Sequence, residues 1–273
     1  MAGAPSCHHG PVIASRRRLW VIGGLAAWAL VLGGLGVVSH RTDEPTVREQ
    51  RNLSEALQIV NTAMGISVGQ AGSDAVPAIM PVTIDRGCRI TPLRDGATAT
   101  GVVRFFTADA ALLLERLRGG FPAAYQAKVS ADGKALRADA GEFVALRGKV
   151  MGPGEVQVTV TTGCRPSDAE VADLLMEYPQ RAEPGKVLSV LGAASVEDAT
   201  VAFARCPSGG PAVTAAALGH GVTGGPATAR AHDQGMAVVD TAEVYAYRRG
   251  ANEAMAVVPQ SDRDARVYVT KLC

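Results

Sequence analysis

Four cysteines beyond residue 40 are the side chains whose type and spacing point most directly to a reaction, which is disulfide formation. They are Cys88, Cys164, Cys206 and Cys273. An even number of cysteines in an exported segment indicates disulfides, and it makes these thiols poor candidates for metal ligands. Four cysteines allow three pairings, and their spacing alone does not choose among them.

A short internal repeat suggests which cysteines pair. Residues 158–164 and 267–273 both read V-x-V-T-x-x-C, with β-branched residues alternating as in a strand. Strand-like runs also lead to the first cysteine of each half. If the first and last strands of each half are neighbours, the pairs are Cys88–Cys164 and Cys206–Cys273. The alternative is that V-x-V-T is common in strands and that the match is accidental.

A G-x-S-x-G motif at residues 65–69 matches the turn that presents the nucleophilic serine of α/β-hydrolases. That turn needs a strand before the serine and a helix after it. Here the preceding residues have helical periodicity, and the following residues have none. We therefore predict that Ser67 is not a catalytic nucleophile.

A G-x-G-x-x-G motif at residues 219–224 matches a dinucleotide-binding loop, and Asp240 follows at a suitable distance. The motif functions only where it opens a helix whose N-terminus binds pyrophosphate. Gly225 and Pro226 follow, and no amphipathic helix is predicted before Met236. We predict a flexible surface loop and no nucleotide cofactor.

The histidines suggest no metal centre. His8 and His9 adjoin Cys7 in a short N-terminal tail, and His220 and His232 have none of the spacings that metal sites use, although Asp233 lies beside His232. No metal and no cofactor are therefore predicted. Paired carboxylates can hydrolyse glycans, but a sequence does not give the distances between them. The available carboxylates are Glu142, Glu155, Asp240, Glu243 and Glu253.

The elements that must position these residues begin with an apolar run at Leu19–Val38. Its 20 residues carry no charge, and a helix of that length spans a bilayer core of about 30 Å. Three arginines, Arg16 to Arg18, precede it, and acidic residues occur only after it. The positive-inside rule predicts a single-pass membrane protein with a cytoplasmic N-terminus and an extracytoplasmic C-terminal region.

Four alternatives to an anchor have less support, and one of them, a lipoprotein, would need a cysteine directly after the apolar run, where there is none. A cleavable signal peptide usually has a shorter apolar run and a small-x-small cleavage site, which Val37-Val38-Ser39 does not provide. The arginines at 16–18 also match a twin-arginine export signal loosely. A buried helix of a soluble protein would carry a polar stripe, which this run lacks.

The remaining chain predicts an α+β fold of mostly antiparallel sheet. A stalk helix is expected from Pro45 to Met64, with Gly65 as its stop and a linker at residues 69–78. Unit one predicts the order β-β-α-β-β, with a helix that Thr107 caps and that ends at Arg118. A connecting helix should begin at Ser167. Unit two predicts four strands, a glycine-rich loop at residues 207–226 and no helix.

These expectations divide the chain into six parts. They are a cytoplasmic tail (1–18), a transmembrane helix (19–39), a stalk and linker (40–78), unit one (79–166), a connecting helix and linker (167–199) and unit two (200–273).

Composition excludes little beyond nucleic acid as a partner. The formal net charge is +1, so no strong field attracts a nucleic acid. Arginine far outnumbers lysine, and alanine and glycine are abundant, which suggests a bacterial source rich in G and C. The sequence contains no catalytic constellation, which favours the first of the three functions that it allows. They are a binding or assembly module at the cell envelope, an envelope hydrolase with its site between the two units, and a structural subunit of a membrane complex.

Overall fold

A computed structural model describes residues 13–42, 51–167, 183–232 and 235–273. The chain divides into two compact units, Met1–Thr46 and Val47–Cys273. The first unit contains helix α1, Ile13–Thr42. Within the described residues, Trp20–Val38 is the one helical segment long and apolar enough to cross a membrane, although a signal sequence can also meet these criteria of length and composition.

The second unit begins with helix α2, Leu53–Gln70. Asn52 caps it, because its side chain accepts a hydrogen bond from the backbone of Glu55, whose own side chain accepts one from the backbone of Asn52. The predicted stop at Gly65 is therefore wrong, since the helix continues for more than a turn beyond it. Gly65 instead provides space, because a Cβ there would overlap the carbonyl group of Arg205.

Sheet I is antiparallel and has six strands in the order β1-β2-β6-β5-β4-β3. Helix α3 and a short 3-10 helix at Ala123–Tyr125 follow its second strand. The elements are β1 (Ala75–Thr91), β2 (Arg94–Thr107), α3 (Ala110–Gly120), β3 (Lys128–Val129), β4 (Ala135–Asp139), β5 (Ala145–Gly152) and β6 (Glu155–Thr161).

Three expectations for this half need correction. The predicted linker at 69–78 contains the end of α2 and the start of β1. Asp109, and not Thr107, caps α3, because its carboxylate accepts from the backbone of Leu112. The predicted order omitted β3 and β4, which are too short to show a clear alternation.

Sheet II is antiparallel and has seven strands in the order β10-β11-β12-β13-β9-β7, with β8 also pairing with β9. Its elements are α4 (Glu183–Val190), β7 (Ser195–Val196), β8 (Thr200–Arg205), β9 (Pro211–His220), α5 (Pro226–His232), β10 (Met236–Asp240), β11 (Tyr245–Arg249), β12 (Glu253–Pro259) and β13 (Asp264–Lys271).

The glycine-rich loop predicted at 207–226 is largely strand β9, which lies inside sheet II. Six consecutive residues of β9, Ala212–Ala217, are buried, so the strand lacks the alternation that marks a half-exposed strand. Helix α5 corrects the expectation that no helix lies between Cys206 and Cys273. Strand β12 was also missed. The connecting helix predicted to begin at Ser167 falls outside the described residues.

The two sheets have corresponding connections. If strands are counted from the one that leads to the first cysteine of each half, both sheets have the order first, second, sixth, fifth, fourth, third. In each sheet a helix joins the second strand to the third, namely α3 in sheet I and α5 in sheet II. The sequence repeat at 158–164 and 267–273 lies at the sixth strand of each sheet.

The sheets pack face to face, and helices cover their other faces. One side of β1 and β2, with Val76 and Phe106, shares a hydrophobic cluster with Tyr268 and Ala256 of sheet II. The other side of sheet I packs on α2 and α3. The other side of sheet II packs on α4, including Leu188. Residues 47–273 are therefore one compact unit with four layers, and the predicted boundary between units one and two separates two sheets within it.

Polar contacts complete the junction between the sheets. The outer edge of β1 contacts two buried threonines of sheet II: the amide of Ile79 donates to Thr214 Oγ1 at 2.9 Å, and Thr270 Oγ1 donates to the carbonyl of Pro77 at 2.7 Å. The two hydroxyls are 2.8 Å apart and bond to each other. Side chains of sheet II therefore satisfy backbone groups that β1, as an edge strand, would leave unpaired.

Candidate functional site

The structure contains the two disulfides whose pairing the repeat predicts. The Cα atoms are 5.9 Å apart in Cys88–Cys164 and 5.4 Å apart in Cys206–Cys273. The predicted adjacency of first and last strands is wrong, because β2 lies between β1 and β6, and β9 lies between β8 and β13. Each disulfide therefore joins chain segments on either side of a middle strand. Gly96 of β2 leaves the necessary space, since a Cβ there would approach Cys164 Sγ to 2.7 Å.

Sheet II covers only part of sheet I, and the uncovered part forms an open face. Alternation along the strands defines this face. Leu136 and Leu146 point into the helical layer and are buried, whereas their neighbours Arg137 and Arg147 are exposed on the opposite side. The exposed side chains of β3, β4 and β5 therefore lie on one surface. No described element packs against this surface through a hydrophobic cluster.

Four basic residues dominate the open face, and we name them the basic strip: Lys128 on β3, Arg137 on β4, and Arg147 and Lys149 on β5. Lys128 lies directly opposite Arg137, and Arg137 lies directly opposite Arg147. With adjacent strands about 4.8 Å apart, these three cations span about 10 Å, and Lys149 lies about 7 Å along β5 from Arg147.

None of the four cations of the basic strip forms an ion pair with an acid in the part of the chain that the structure describes, although the exposed Asp139 lies on the same face, two residues along β4 from Arg137. Like charges directly opposite each other on adjacent strands destabilise a sheet. Repulsion among the cations of the strip therefore destabilises the folded sheet. An anion bound across the strands would neutralise the cations and remove this repulsion.

Arg104 on the same face shows what a compensated cation looks like. Its guanidinium donates two hydrogen bonds to Glu155, at 2.7 and 2.9 Å, and a third to Tyr268 Oη at 2.6 Å. Burial opposes the charge of Arg104, but these bonds outweigh it and raise the pKa of Arg104. Arg104 therefore serves the junction between the sheets, and the basic strip does not.

A second candidate is a cleft of about 280 Å³ on the face of sheet II that points away from sheet I. It lies between α4 and α5 over β11 and β12, and we name it the helix cleft. Its apolar lining comes from Val187, Val190, Ala229 and Met255. The volume is near the lower end of the range for ligand pockets.

Polar groups line the helix cleft as well. The hydroxyl of Tyr247 donates to the thioether of Met255 at 2.8 Å, and Arg249 Nη2 approaches the same sulfur to 3.6 Å. Thioether sulfur is a weak acceptor of hydrogen bonds. Lys186 and His232 lie on the cleft too, as does the carboxylate of Glu183.

His220 belongs to an exposed cluster at the end of β9 and not to a nucleotide loop. Its Nδ1 lies 3.0 Å from Asp264, and its Nε2 lies 3.1 Å from Glu197. Hydrogen bonds to Glu197 and then Asp264 raise the pKa of His220, and the bond from His220 lowers the pKa of Asp264. The glycine-rich motif begins in the last two residues of β9, and α5, which comes after it, has only seven residues.

Ser67 is buried in the last turn of α2, and its hydroxyl donates to the carbonyl of Ala63 at 2.8 Å. It therefore has the hydrogen bond of a helical serine, and the strand-turn-helix context of a nucleophile is absent at this position. In the described residues, no group of three or more His, Cys, Asp or Glu side chains is arranged to hold a metal ion.

The carboxylates named as hydrolytic candidates are dispersed. Four of the five form ion pairs with arginines on different elements, namely Glu142 with Arg51, Glu155 with Arg104, Asp240 with Arg230, and Glu253 with Arg249. The basic strip was not predicted from the sequence. Its four members are spread over residues 128–149 and meet only through the register of three strands. Cations at alternate positions in a strand, as at Arg147 and Lys149, were the available signal.

Comparison with known protein families, with curated proteins and with solved structures gave no match to this chain. The function has to be argued from the geometry.

Proposed function

We propose that this chain is a membrane-anchored, extracytoplasmic binding module of the bacterial cell envelope, and that its basic strip holds an anionic polymer. The strip is the observation that carries the proposal, since four exposed cations meet there and none forms an ion pair with a described acid. The uncompensated charge favours an anionic partner. Arg137 and Arg147 lie opposite each other, so their guanidinium groups can bind one oxyanion together.

The surroundings of the strip favour a hydrated polymer over a lipid surface. Thr159 lies opposite Arg147, and Gln157 lies opposite Lys149, so hydroxyl and amide groups adjoin the cations. Such groups hydrogen-bond to polar polymer units. The proposed extracytoplasmic location excludes nucleic acid as the usual partner.

The location rests on α1 and the disulfides together. Arg16, Arg17 and Arg18 precede the apolar segment of α1 and favour a cytoplasmic N-terminus, and an uncleaved α1 would place the lipid bilayer among the partners. The two disulfides favour an oxidising compartment for residues 51–273. An envelope protein or another membrane protein could also bind to α1.

We also infer that the two sheets arose by internal duplication. Their shared strand order, the equivalent helices α3 and α5, and the equivalent disulfides support this inference. The two copies differ in which face is exposed. The face of sheet I that carries the strip is open, and the corresponding face of sheet II packs against β1 and β2.

The test uses the full chain in nanodiscs of uncharged phosphatidylcholine, with inorganic polyphosphate as the probe. We expect binding that weakens with added salt. Replacing both strip arginines, Arg137→Gln and Arg147→Gln, should weaken it at least about tenfold, because two charge-assisted hydrogen bonds are lost. The matched control replaces two exposed arginines at the β1–β2 turn, Arg89→Gln and Arg94→Gln, and should leave binding within about twofold.

Thermal denaturation checks that the strip variant folds. It should be at least as stable as the parent chain, because the change removes like charges that face each other. Equal weakening by both double variants would contradict the proposal, as would no binding to polyphosphate. Binding to phosphatidylglycerol vesicles without binding to polyphosphate would assign the strip to a membrane surface instead.

The envelope hydrolase and the structural subunit stay as alternative hypotheses. Turnover of a glycan or ester substrate would support the first. Recovery of a stoichiometric membrane-protein partner in mild detergent would support the second.

A further inference from the structure

We propose that a pocket beside the basic strip binds the terminal unit of the anionic polymer, and that this unit is a sugar ring with a single negative charge. The pocket has a volume of about 500 Å³ and lies at the outer edge of sheet I, between the 3-10 helix that ends at Tyr125 and the strands β3 and β4. We name it the edge pocket. The inference deepens the proposed function and rests on it, because Lys128 and Arg137 belong both to the strip and to this pocket.

The edge pocket opens where β4 extends beyond β3. Strand β3 has two residues, which pair with Arg137 and Leu136. Before this pair the chain turns at Gln126, where φ is 47°, so Ala138 and Asp139 have no paired strand on that side in the described part of the chain. The volume lies within the range typical of ligand pockets, so the space is sufficient for a sugar ring.

Tyr125 provides a buried donor in the edge pocket. It is 9 % exposed, and its ring packs in the core of sheet I, 5.7 Å from the ring of Phe121. Its hydroxyl forms no hydrogen bond with a described residue, and burial raises the pKa of Tyr125, so the hydroxyl is protonated at neutral pH. A buried donor without an acceptor destabilises the fold, and an oxygen of a bound ligand would supply the acceptor.

The charges of the edge pocket favour a ligand with one anionic group. Lys128 and Arg137 lie directly opposite each other, and neither forms an ion pair with a described acid, so one oxyanion can bind to both. Asp139 is the one carboxylate among the lining residues, which leaves the pocket with a single positive charge. A second anionic group in the pocket would be repelled by Asp139.

Asp139 also favours a hydroxylated unit over a bare phosphate chain. Its Oδ1 accepts from the amide of Gly141 at 2.9 Å, which holds the carboxylate in place. An ionised carboxylate only accepts hydrogen bonds, so it can bind the hydroxyls of a sugar and repels phosphate groups. The half-buried side chains of Val129 and Ala138 provide apolar surface for the C–H groups of the ring.

The test is a titration of the full chain, in nanodiscs of uncharged phosphatidylcholine, with three methyl glycosides. Methyl glucuronide, methyl glucoside and methyl glucosaminide share one type of ring and are negative, neutral and positive. The tyrosine rings are labelled with ¹³C, and the Tyr125 signal is assigned by its absence in Tyr125→Phe. We expect methyl glucuronide to shift the Tyr125 signal saturably, with the signal of Tyr268 unchanged. The other two glycosides should bind at least about tenfold more weakly, because they lack charge-assisted hydrogen bonds to the cations.

Variants test the donor and the cation separately, with binding measured from the glycoside by saturation-transfer NMR. Tyr125→Phe and Lys128→Gln should each weaken methyl glucuronide binding about threefold to tenfold, because each removes a hydrogen bond to the ligand. Tyr125→Phe keeps the ring that packs on Phe121, and Lys128 is exposed, so both variants should fold. Lys149→Gln is the matched charge control, since Lys149 belongs to the strip but does not line the edge pocket. It should leave glycoside binding within about twofold in physiological salt, which screens a charge that does not touch the ligand.

Equal binding of the three glycosides would overturn the inference, because it would show no recognition of charge. Equal weakening by Lys128→Gln and Lys149→Gln would also overturn it, since a general attraction between charges would then explain the binding. Polyphosphate should still bind to Tyr125→Phe as it binds to the parent chain. Binding of polyphosphate without methyl glucuronide would overturn this inference alone, whereas binding of methyl glucuronide without polyphosphate would contradict the proposed function alone.

Discussion

Some charged side chains of this protein have a partner that neutralises or hydrogen-bonds them. Others have no such partner among the described residues. Arg104 binds Glu155, and Arg116 pairs with Asp74, whose pKa is lowered first by the hydrogen bond from Arg116. Arg248 donates to the backbone carbonyl of Ala75 at 2.7 Å at the junction between the sheets. These contacts explain Arg104, Arg116 and Arg248 as structural groups, and the four cations of the basic strip have no such ion pair among the described residues.

His220 provides a test of local electrostatics. Its raised pKa means that its ion pairs stabilise the fold fully below the unfolded value of about 6.5, and that this contribution is lost as pH rises through the higher folded value. The lowered pKa of Asp264 acts oppositely, since its contribution is present above about pH 4 and is lost as pH falls. The cluster is therefore most stabilising between about pH 5 and 6.

We expect His220→Gln to lower the melting temperature at pH 5.5 and to lower it less at pH 8. Differential scanning calorimetry at several pH values measures the difference between variant and parent. The effect should be small, because the cluster is exposed to solvent. A difference that stays constant from pH 5.5 to 8 would show that the histidine acts by packing and not by charge.

Helices and strands illustrate which elements the sequence can predict. The periodic apolar residues of α2 and α3 predicted both helices, but α2 begins at Leu53 and not at Pro45 and ends at Gln70 and not at Met64, whereas α3 ends only two residues beyond the predicted Arg118. Strand β9 was not predictable, because burial on both faces removes the alternation and because alanine and glycine are uncommon in strands. Close packing explains that composition: a Cβ at Gly219 would approach Leu188 to 2.6 Å.

Gly96 tests how the first disulfide crosses β2. A methyl group at this position would lie 2.6 Å from the carbonyl oxygen of Arg165 and 2.7 Å from Cys164 Sγ, and neither atom is at the end of a flexible side chain. We expect Gly96→Ala to lower the free energy of unfolding by about 1–3 kcal/mol, as overpacking usually does. Chemical denaturation under oxidising conditions measures it.

Gly119→Ala is the matched control. Gly119 lies in α3 with no atom near the position of a new Cβ, so alanine there should be neutral or should stabilise the helix by up to about 1 kcal/mol. Equal stability changes in the two variants would mean that the disulfide does not need the space at Gly96.

At the scale of the whole molecule, the sequence predicted the fold class and the disulfide pairing but not the packing of the sheets. The disulfide pairing was predictable because the cysteines and the V-x-V-T-x-x-C repeat both mark residues near the ends of strands. The face-to-face packing depends on small residues such as Ala246 and Ala256, which do not distinguish an inner face from an outer one. The open face of sheet I could not be predicted for the same reason.

The shared core predicts that sheet II does not fold alone. A chain of residues 183–273 would expose Tyr268 and Ala256, which pack on Val76 and Phe106 in the whole protein. We expect this fragment to lack a cooperative unfolding transition and amide protection in β12, as measured by hydrogen exchange. Residues 47–273 should unfold in one transition, and a sharp transition of the fragment would contradict the shared core.

The outer edge of β1 has a consequence for behaviour at high concentration. An unpaired edge strand offers amides and carbonyls on which a strand of another molecule can add, and such addition can propagate into aggregates. Pro77 has no amide to offer, and Thr214 and Thr270 bind the amide of Ile79 and the carbonyl of Pro77. The intramolecular junction therefore also protects sheet I against polymerisation through this edge. Valine at both threonine positions would keep the size of the side chains and remove that protection.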